Sequence, residues 1–297
     1  MTEYLGINTY LRNRFGVKVY KLSLDGGFTC PNRDGTKGKE GCIFCLNGSG
    51  DYSIPCEVGH VAEALETAKS VVSGKGAEKF ISYFQSYTGT YSSLGKLRAL
   101  YNEAIYPDDI VALSIATRPD CLSDDVVMLL GELNMIKPVF VELGLQTVHE
   151  QTAEYIRRGY GLPEFNDAVK RLKAAGIEVV VHMIIGLPGE TDEMIVQTAD
   201  YIGKSGADGI KFQLLYVLEG TDLAEDYREG KFEALSMEHY ISLLVSCVEV
   251  LPENMVVHRL TGDAPKRNLI APLWSANKKM VINEISKVLC ERDSQAP

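Results

Sequence analysis

Val139-Phe-Val-Glu-Leu-Gly-Leu-Gln146 presents two different faces. Val139, Val141, Leu143 and Leu145 fall on one side of an extended chain, and Glu142, Gly144 and Gln146 on the other. A period of two predicts a strand. Two later segments repeat the pattern: His182 interrupts the apolar run 179–185, and Lys211 and Gln213 alternate with Ile210, Phe212 and Leu214. Strands of a parallel sheet covered on both faces are almost wholly apolar. Polar residues pointing one way from successive strands therefore need a wet or ligand-filled interior, which a partly open barrel supplies.

The rest of the chain extends this reading. Strands are expected at 17–24, 79–85, 109–117, 139–146, 178–185 and 209–216. Helices are expected near 60–74, 92–105, 123–134, 148–157, 163–175 and 190–205. Val61, Leu65, Ala68 and Val72 share a helical face, Pro163 suits a first helical position, and Gly176 a position just past a helix end. Six β-α units in series mean a parallel sheet. The expected class is α/β: a partial (βα)6 TIM-like barrel over 17–225, preceded by a helical segment at 1–16. A mixed, largely helical extension over 226–297 would cap its mouth. In such barrels chemistry gathers at the C-terminal strand ends. Gln146 and Gly186 would fall there, as would Cys30 after the first strand.

The chain has 297 residues, 45% apolar and 24% charged, with a net charge of −10. No run approaches the ~20 apolar residues that span a bilayer. The first residues carry no signal core, so a cytoplasmic location is expected. Seven cysteines, an odd number, argue against a disulfide framework. The negative balance argues against a general polyanion binder, and scattered basic pairs such as Lys266/Arg267 read as solvated charge.

Three of the cysteines stand apart. Cys30-Pro-Asn-Arg-Asp-Gly35 leads, through a Gly-rich charged loop, to Cys42-Ile-Phe-Cys45. Three thiolates do not complete a four-ligand shell. One reading is structural zinc with Cys56 or His60 as the fourth ligand. The other is a 4Fe–4S cluster with one iron left open. The loop alone leaves both standing.

Beyond the loop, the sequence resembles the radical S-adenosylmethionine superfamily. Phe44 matches the aromatic residue usual before the third cysteine. Glu142-Leu-Gly-Leu-Gln146 is similar to a signature of the branch containing the Elongator catalytic subunit and the coproporphyrinogen dehydrogenases. Arg157-Arg-Gly-Tyr160, the Phe165…Gly176 segment and Val181-His-Met-Ile-Ile-Gly-Leu-Pro-Gly-Glu190 resemble later motifs of that branch. The Cys-Pro-Asn-Arg-Asp-Gly loop resembles that of one bacterial family within it. The eleven residues between Cys30 and Cys42 depart from the C-x3-C-x2-C spacing of most members, a lengthening that the Elongator-like branch shares.

The resemblance implies that Cys30, Cys42 and Cys45 bind a 4Fe–4S cluster. S-adenosylmethionine would complete the fourth iron and yield a 5′-deoxyadenosyl radical, with a donor such as flavodoxin or ferredoxin supplying the electron. It implies polar contacts to the cofactor from Glu142 and Gln146, with a Glu142–Lys211 ion pair as the alternative role for the carboxylate. Arg158 would hold the methionyl carboxylate, unless it is a plain helix-end arginine. Gly186 would let backbone approach the adenine, Ser114 would face the cofactor, and Gln85, with Tyr83, Tyr87 and Thr88, the substrate. His182 reads as a hydrogen-bonded core histidine, and His258, Arg259 and Asp263 as candidates for substrate contact. No residue is assigned a catalytic role. Related branches modify tRNA, so the leading expectation is side-chain modification of a wobble uridine, carboxymethylaminomethyl toward aminomethyl. Acetyl transfer is not expected of this chain. A radical enzyme acting on a small metabolite or tetrapyrrole, and a zinc-stabilised binding protein, are the alternatives.

Overall fold

The computed structural model of the chain describes residues 4–46 and 53–293, with side chains up to 289. Residues 1–3 of the expected 1–16 segment, residues 294–297 and the side chain of Cys290 lie outside the described residues. A short strand β1 (Leu5–Gly6) precedes helix α1 (Ile7–Phe15). Strand β2 (Val19–Asp25) leads through the thiol loop to β3 (Ile54–Pro55) and α2 (Val61–Val72). Next come β4 (Lys79–Phe84) with α3 (Leu94–Ile105), and β5 (Ile110–Thr117) with α4 (Asp124–Asn134). Strand β6 (Val139–Gln146) is followed by α5 (Glu150–Tyr155) and α6 (Leu162–Ala174), and β7 (Glu178–Ile185) by α7 (Asp192–Lys204). The remainder runs β8 (Gly209–Leu214), β9 (Val217–Leu218), α8 (Asp222–Arg228), α9 (Met237–Glu249), β10 (Val256–Arg259), β11 (Leu269–Ala271) and α10 (Lys278–Asp293).

All six expected strands form, β6 and β7 with the predicted bounds. They lie in one parallel nine-stranded sheet of order β1-β10-β8-β7-β6-β5-β4-β2-β3, curled into a partial barrel. Its two ends, β1 and β3, are not paired to each other, so the barrel has a lateral seam. Strand β10 joins the sheet beside β8, and β11 pairs antiparallel with β9 over the mouth.

Alternation divides the sheet into two environments. Outward residues such as Leu22, Leu113, Val141, Leu143, Val181 and Phe212 are buried under the helices and form the main core. Inward residues form layers. At the bottom, Val19, Ile81, Ala112, Phe140 and Val180 make an apolar floor, sealed by Leu11 of α1. Truncating so buried a leucine typically costs about 2–5 kcal/mol. Above the floor the next inward level is polar or charged: Lys21, Tyr83, Ser114, Glu142, His182 and Lys211. Among the described residues no helix is long and apolar enough to cross a membrane.

Candidate active site

The thiol loop folds back on itself over the C-terminal end of the sheet. The Cys30 carbonyl accepts the Arg33 and Asp34 N–H groups, and the Pro31 carbonyl those of Lys37 and Gly38. Asn32 is buried, and its amide donates to the Arg157 carbonyl at 2.7 Å, the Arg158 carbonyl at 3.2 Å and the Cys42 sulfur at 3.7 Å. Arg33 donates to the Cys45 carbonyl, and Lys37 reaches Asp120 at 2.6 Å. Two glycines at positive φ make room: a Cβ on Gly41 would lie 2.8 Å from the Arg33 side chain, and one on Gly159 would lie 2.9 Å from that of Asn32. The insert between Cys30 and Cys42 is thus a clamp that ties the loop to the segment after α5.

Cys30, Cys42 and Cys45 line one cavity of about 350 Å³, with Phe44 beside them. Burial pushes the Cys42 thiol up to about 11 and raises that of Cys45. No three thiol, imidazole or carboxylate groups among the described residues form a preassembled metal cage. Neither proposed zinc partner joins the thiols. Cys56 is packed in the main core among Leu24, Val61 and Leu65, and His60 is exposed with Glu63 at 3.5 Å.

Below the thiols lies a closed ring around Glu142, which is fully buried. One carboxylate oxygen accepts from the Lys21 ammonium and, at 2.8 Å, from the Ser114 hydroxyl. The other accepts from Tyr83 at 3.0 Å, His182 Nε2 at 2.7 Å and the Lys211 ammonium at 2.7 Å. Five donors exceed the roughly four lone-pair sites a carboxylate offers. Burial would raise this carboxyl, but Lys21 and Lys211 outweigh it and hold it well below the usual range. Burial draws Lys211 down to about 7 and His182 to about 4, so the imidazole is neutral. Its other nitrogen receives Gln213 at 3.2 Å, which fixes the Nε2–H tautomer. Glu142 takes its alternative role, the ion pair, with Lys21 as well as Lys211, and it also lines the thiol cavity. One expectation changes here. Ser114 faces Glu142 and does not line the cavity.

The cavity wall above the ring is less complete. At the end of β6 the register slips between Gly144 and Gln146, and Gln146 sits at φ 69°, a strained conformation for a non-glycine residue. Its side-chain amide oxygen is buried without a hydrogen-bond partner. Arg158, only 2% exposed, is no surface arginine: it donates to the Tyr160 carbonyl at 2.9 Å and the Leu145 carbonyl at 2.8 Å, while Nη2 has no partner. It pairs with no carboxylate among the described residues, and burial works against its charge. Arg158 and Arg118 lie 5.0 and 4.8 Å from the Tyr160 ring centre, and Tyr160 donates to the Gly144 carbonyl at 2.6 Å. Arg118 is held bidentately by Asp120, both contacts 2.9 Å. Gln85 lines the cavity; Gly186 does not. A Cβ at 186 would meet Leu235 at 2.9 Å, so this glycine serves packing against the extension.

Residues 30–202, starting at the first of the three cysteines, match the Radical SAM superfamily model, and 207–291 match the Radical SAM C-terminal domain. The chain belongs to the Radical SAM superfamily. YtqA of Bacillus subtilis (strain 168) is 43% identical to it, over 98% of this chain and 91% of that protein. The tRNA uridine(34) acetyltransferase of Methanocaldococcus jannaschii is 27% identical over 56% of this chain, but that overlap is only 31% of the relative. The solved Elp3 of Methanocaldococcus infernus, with its N-terminus deleted, shares the fold with a TM-score of 0.65 at 18% identity, covering 91% of this chain and 63% of that one. This radical SAM enzyme has a 4Fe–4S cluster and S-adenosylmethionine as its cofactors.

The donor set fits those cofactors. Three thiols without a fourth suit a cluster with one open iron. A buried, unpaired guanidinium N–H suits a carboxylate, and an unpaired amide oxygen suits an ammonium or hydroxyl. Several wall residues escape a sequence reading. Lys21 had a signal, since Lys21 and Ser23 alternate with Leu22 and Leu24. Arg118 had none, and Asn32 and Tyr160 stood only as members of loop motifs, where no period reports orientation.

Proposed function

We propose that Cys30, Cys42 and Cys45 hold the cluster, and that Arg158 and Gln146 receive the carboxylate and the amine or ribose of S-adenosylmethionine. When bound, these cofactors supply a primary carbon radical able to remove a hydrogen atom from substrate. The protein's own part is orientation and exclusion. Asn32 and Arg33 brace the thiol loop, Tyr160 fixes the Gly144 carbonyl, and the apolar floor under the Glu142 ring closes the interior to water from below. Phe44 shields the thiol side of the cavity.

The substrate, in this reading, is a tRNA wobble uridine whose carboxymethylaminomethyl side chain is processed toward an aminomethyl form. A one-electron donor such as flavodoxin or ferredoxin is part of the same proposal. The supporting observation is the radical-enzyme segment shared with a tRNA uridine(34) acetyltransferase. That overlap does not extend over most of the relative, so acetylation does not carry over.

Two measurements test this. On anaerobic reconstitution, Cys30→Ala, Cys42→Ala and Cys45→Ala should each lose bound iron and visible absorption, whereas Cys56→Ala should keep both. Loss on Cys56→Ala alone would overturn the ligand assignment. Mass spectrometry of tRNA nucleosides from a strain lacking the gene should show accumulation of the carboxymethylaminomethyl form. An unchanged wobble-nucleoside profile would turn the reading to a small metabolite or tetrapyrrole.

A further inference from the structure

The chain is acidic overall, with 40 carboxylate and 30 basic side chains, yet its charge is sorted. A second cavity of about 570 Å³ opens along the lateral seam of the barrel. Six cationic side chains line it: Lys21, Lys75, Lys211, Arg259, Lys266 and Lys278. A single carboxylate, Asp263, accompanies them among the described residues. Lys21 and Lys211 are consumed by Glu142 beneath. Asp263 is shared between Lys278 and, at 3.8 Å, Arg259. Lys75 and Lys266 are exposed at the rim with no carboxylate partner among the described residues. Where the remainder of the molecule carries an excess of negative charge, this seam carries an excess of positive charge, which concentrates anions.

The seam is not separate from the thiol cavity. Tyr83, Gln85, Lys211, Arg259 and Asp263 line both. An anion held at the rim can therefore project an attached group inward, past Arg259, toward the cavity that the three cysteines line. Tyr20 also lines the seam, so an aromatic side chain stands among the lysines. Cationic side chains around a stacking surface are the elements of single-stranded nucleic-acid binding.

We propose that the lateral seam is the RNA-backbone site of this enzyme, with Lys75, Lys266 and Lys278 contacting phosphates and Arg259 at the junction where the reacting nucleotide enters. This rests on the RNA substrate proposed above and adds where, and through which residues, the RNA docks. It also explains how an acidic protein accepts a polyanion: recognition is local and the surface elsewhere repels, which favours one docking geometry.

The test is fluorescence anisotropy of a labelled tRNA transcript with the full-length reconstituted protein between 50 and 200 mM salt. The K75A/K266A/K278A variant should bind at least about tenfold more weakly, and the slope of log affinity against log salt should flatten by about two to three. A control with the same charge loss elsewhere, K170A/K204A/K287A, should match wild type, and thermal unfolding confirms that both variants fold. If the seam variant binds tRNA as wild type does, the seam is overturned while the RNA reading stands. A parallel titration with inorganic tripolyphosphate separates the remaining cases. If wild type binds tripolyphosphate through the seam lysines but not tRNA, RNA is overturned as the occupant. If it binds neither, the anion site itself is overturned.

Discussion

Five donors converge on the two oxygens of Glu142, while four residues further along β6 the Gln146 side-chain amide oxygen is buried with nothing to bond. Both residues point inward from β6, both were candidate cofactor contacts, and both belong to a polar interior. What separates them is satisfaction. A buried polar group with all its bonds made is structure, whereas one left without a partner costs free energy that a ligand can recover. By that criterion the interior divides into a brace, centred on Glu142, and a mouth, where Gln146 and Arg158 hold unpaired atoms beside the three thiols.

The sharpest way to break the comparison is to remove the brace. Glu142→Ala strands the buried Lys211 and the partly buried Lys21, and breaking a buried ion pair in this way costs about 3–5 kcal/mol. Anaerobic denaturant unfolding of the cluster-free protein reads this directly. Replacing all three charges with apolar residues of similar size, K21M/E142L/K211M, should recover most of the loss, because a well-packed apolar set avoids the desolvation. A Glu142→Ala protein as stable as wild type, but unable to bind S-adenosylmethionine, would return Glu142 to the cofactor.

Acid probes the same ring more gently. His182 is held neutral, at about 4 in the fold against about 6.5 when unfolded, chiefly by burial and then by Lys211. The unfolded chain therefore binds a proton between pH 6.5 and 4 that the folded chain refuses. The associated stability is fully present above 6.5 and lost as pH falls toward 4, a change of up to about 3 kcal/mol. His258, partly buried and shifted the same way by desolvation, adds to it. His182→Gln keeps an N–H for Glu142 and cannot charge, so its unfolding free energy should fall less steeply over this window. A parallel pH dependence in the two proteins would show that His182 is not the titrating group.

The sheet was legible because its signal is local. In β6 the apolar and polar residues alternate from Val141 to Gln146 and in β7 one histidine breaks an apolar run, and both came out with their observed bounds. The short strands β1, β3, β9 and β11 were missed, since two or three residues carry no period. The three thiols were legible through spacing. Which polar residues face a ligand was not, because satisfaction depends on what the rest of the chain brings. Glu142 looked like Gln146 until Lys21, from over a hundred residues earlier, was seen to reach it. At Gly186 the close approach of Leu235, from the extension, carries no local signal. Arg158 read as a carboxylate contact or a plain helix-end arginine, and only its burial and its bonds to the Tyr160 and Leu145 carbonyls remove the surface alternative.

The smallest expected effect is the most discriminating. Gln146 holds a left-handed backbone conformation that glycine adopts without strain, and such strain costs about 1 kcal/mol or more. A residue kept there only for folding would be better as glycine. Gln146→Gly should therefore leave the cluster-free protein as stable as wild type, or more stable by about 0.5–1 kcal/mol. It should at the same time weaken S-adenosylmethionine binding by roughly an order of magnitude, the loss of about one hydrogen bond. Calorimetric titration of the reconstituted protein, set beside denaturant unfolding, measures both. Opposite signs in the two measurements mark a strained residue retained for its ligand. A loss of stability with unchanged binding would move Gln146 into the brace and leave Arg158 as the mouth's one unpaired contact among the described residues.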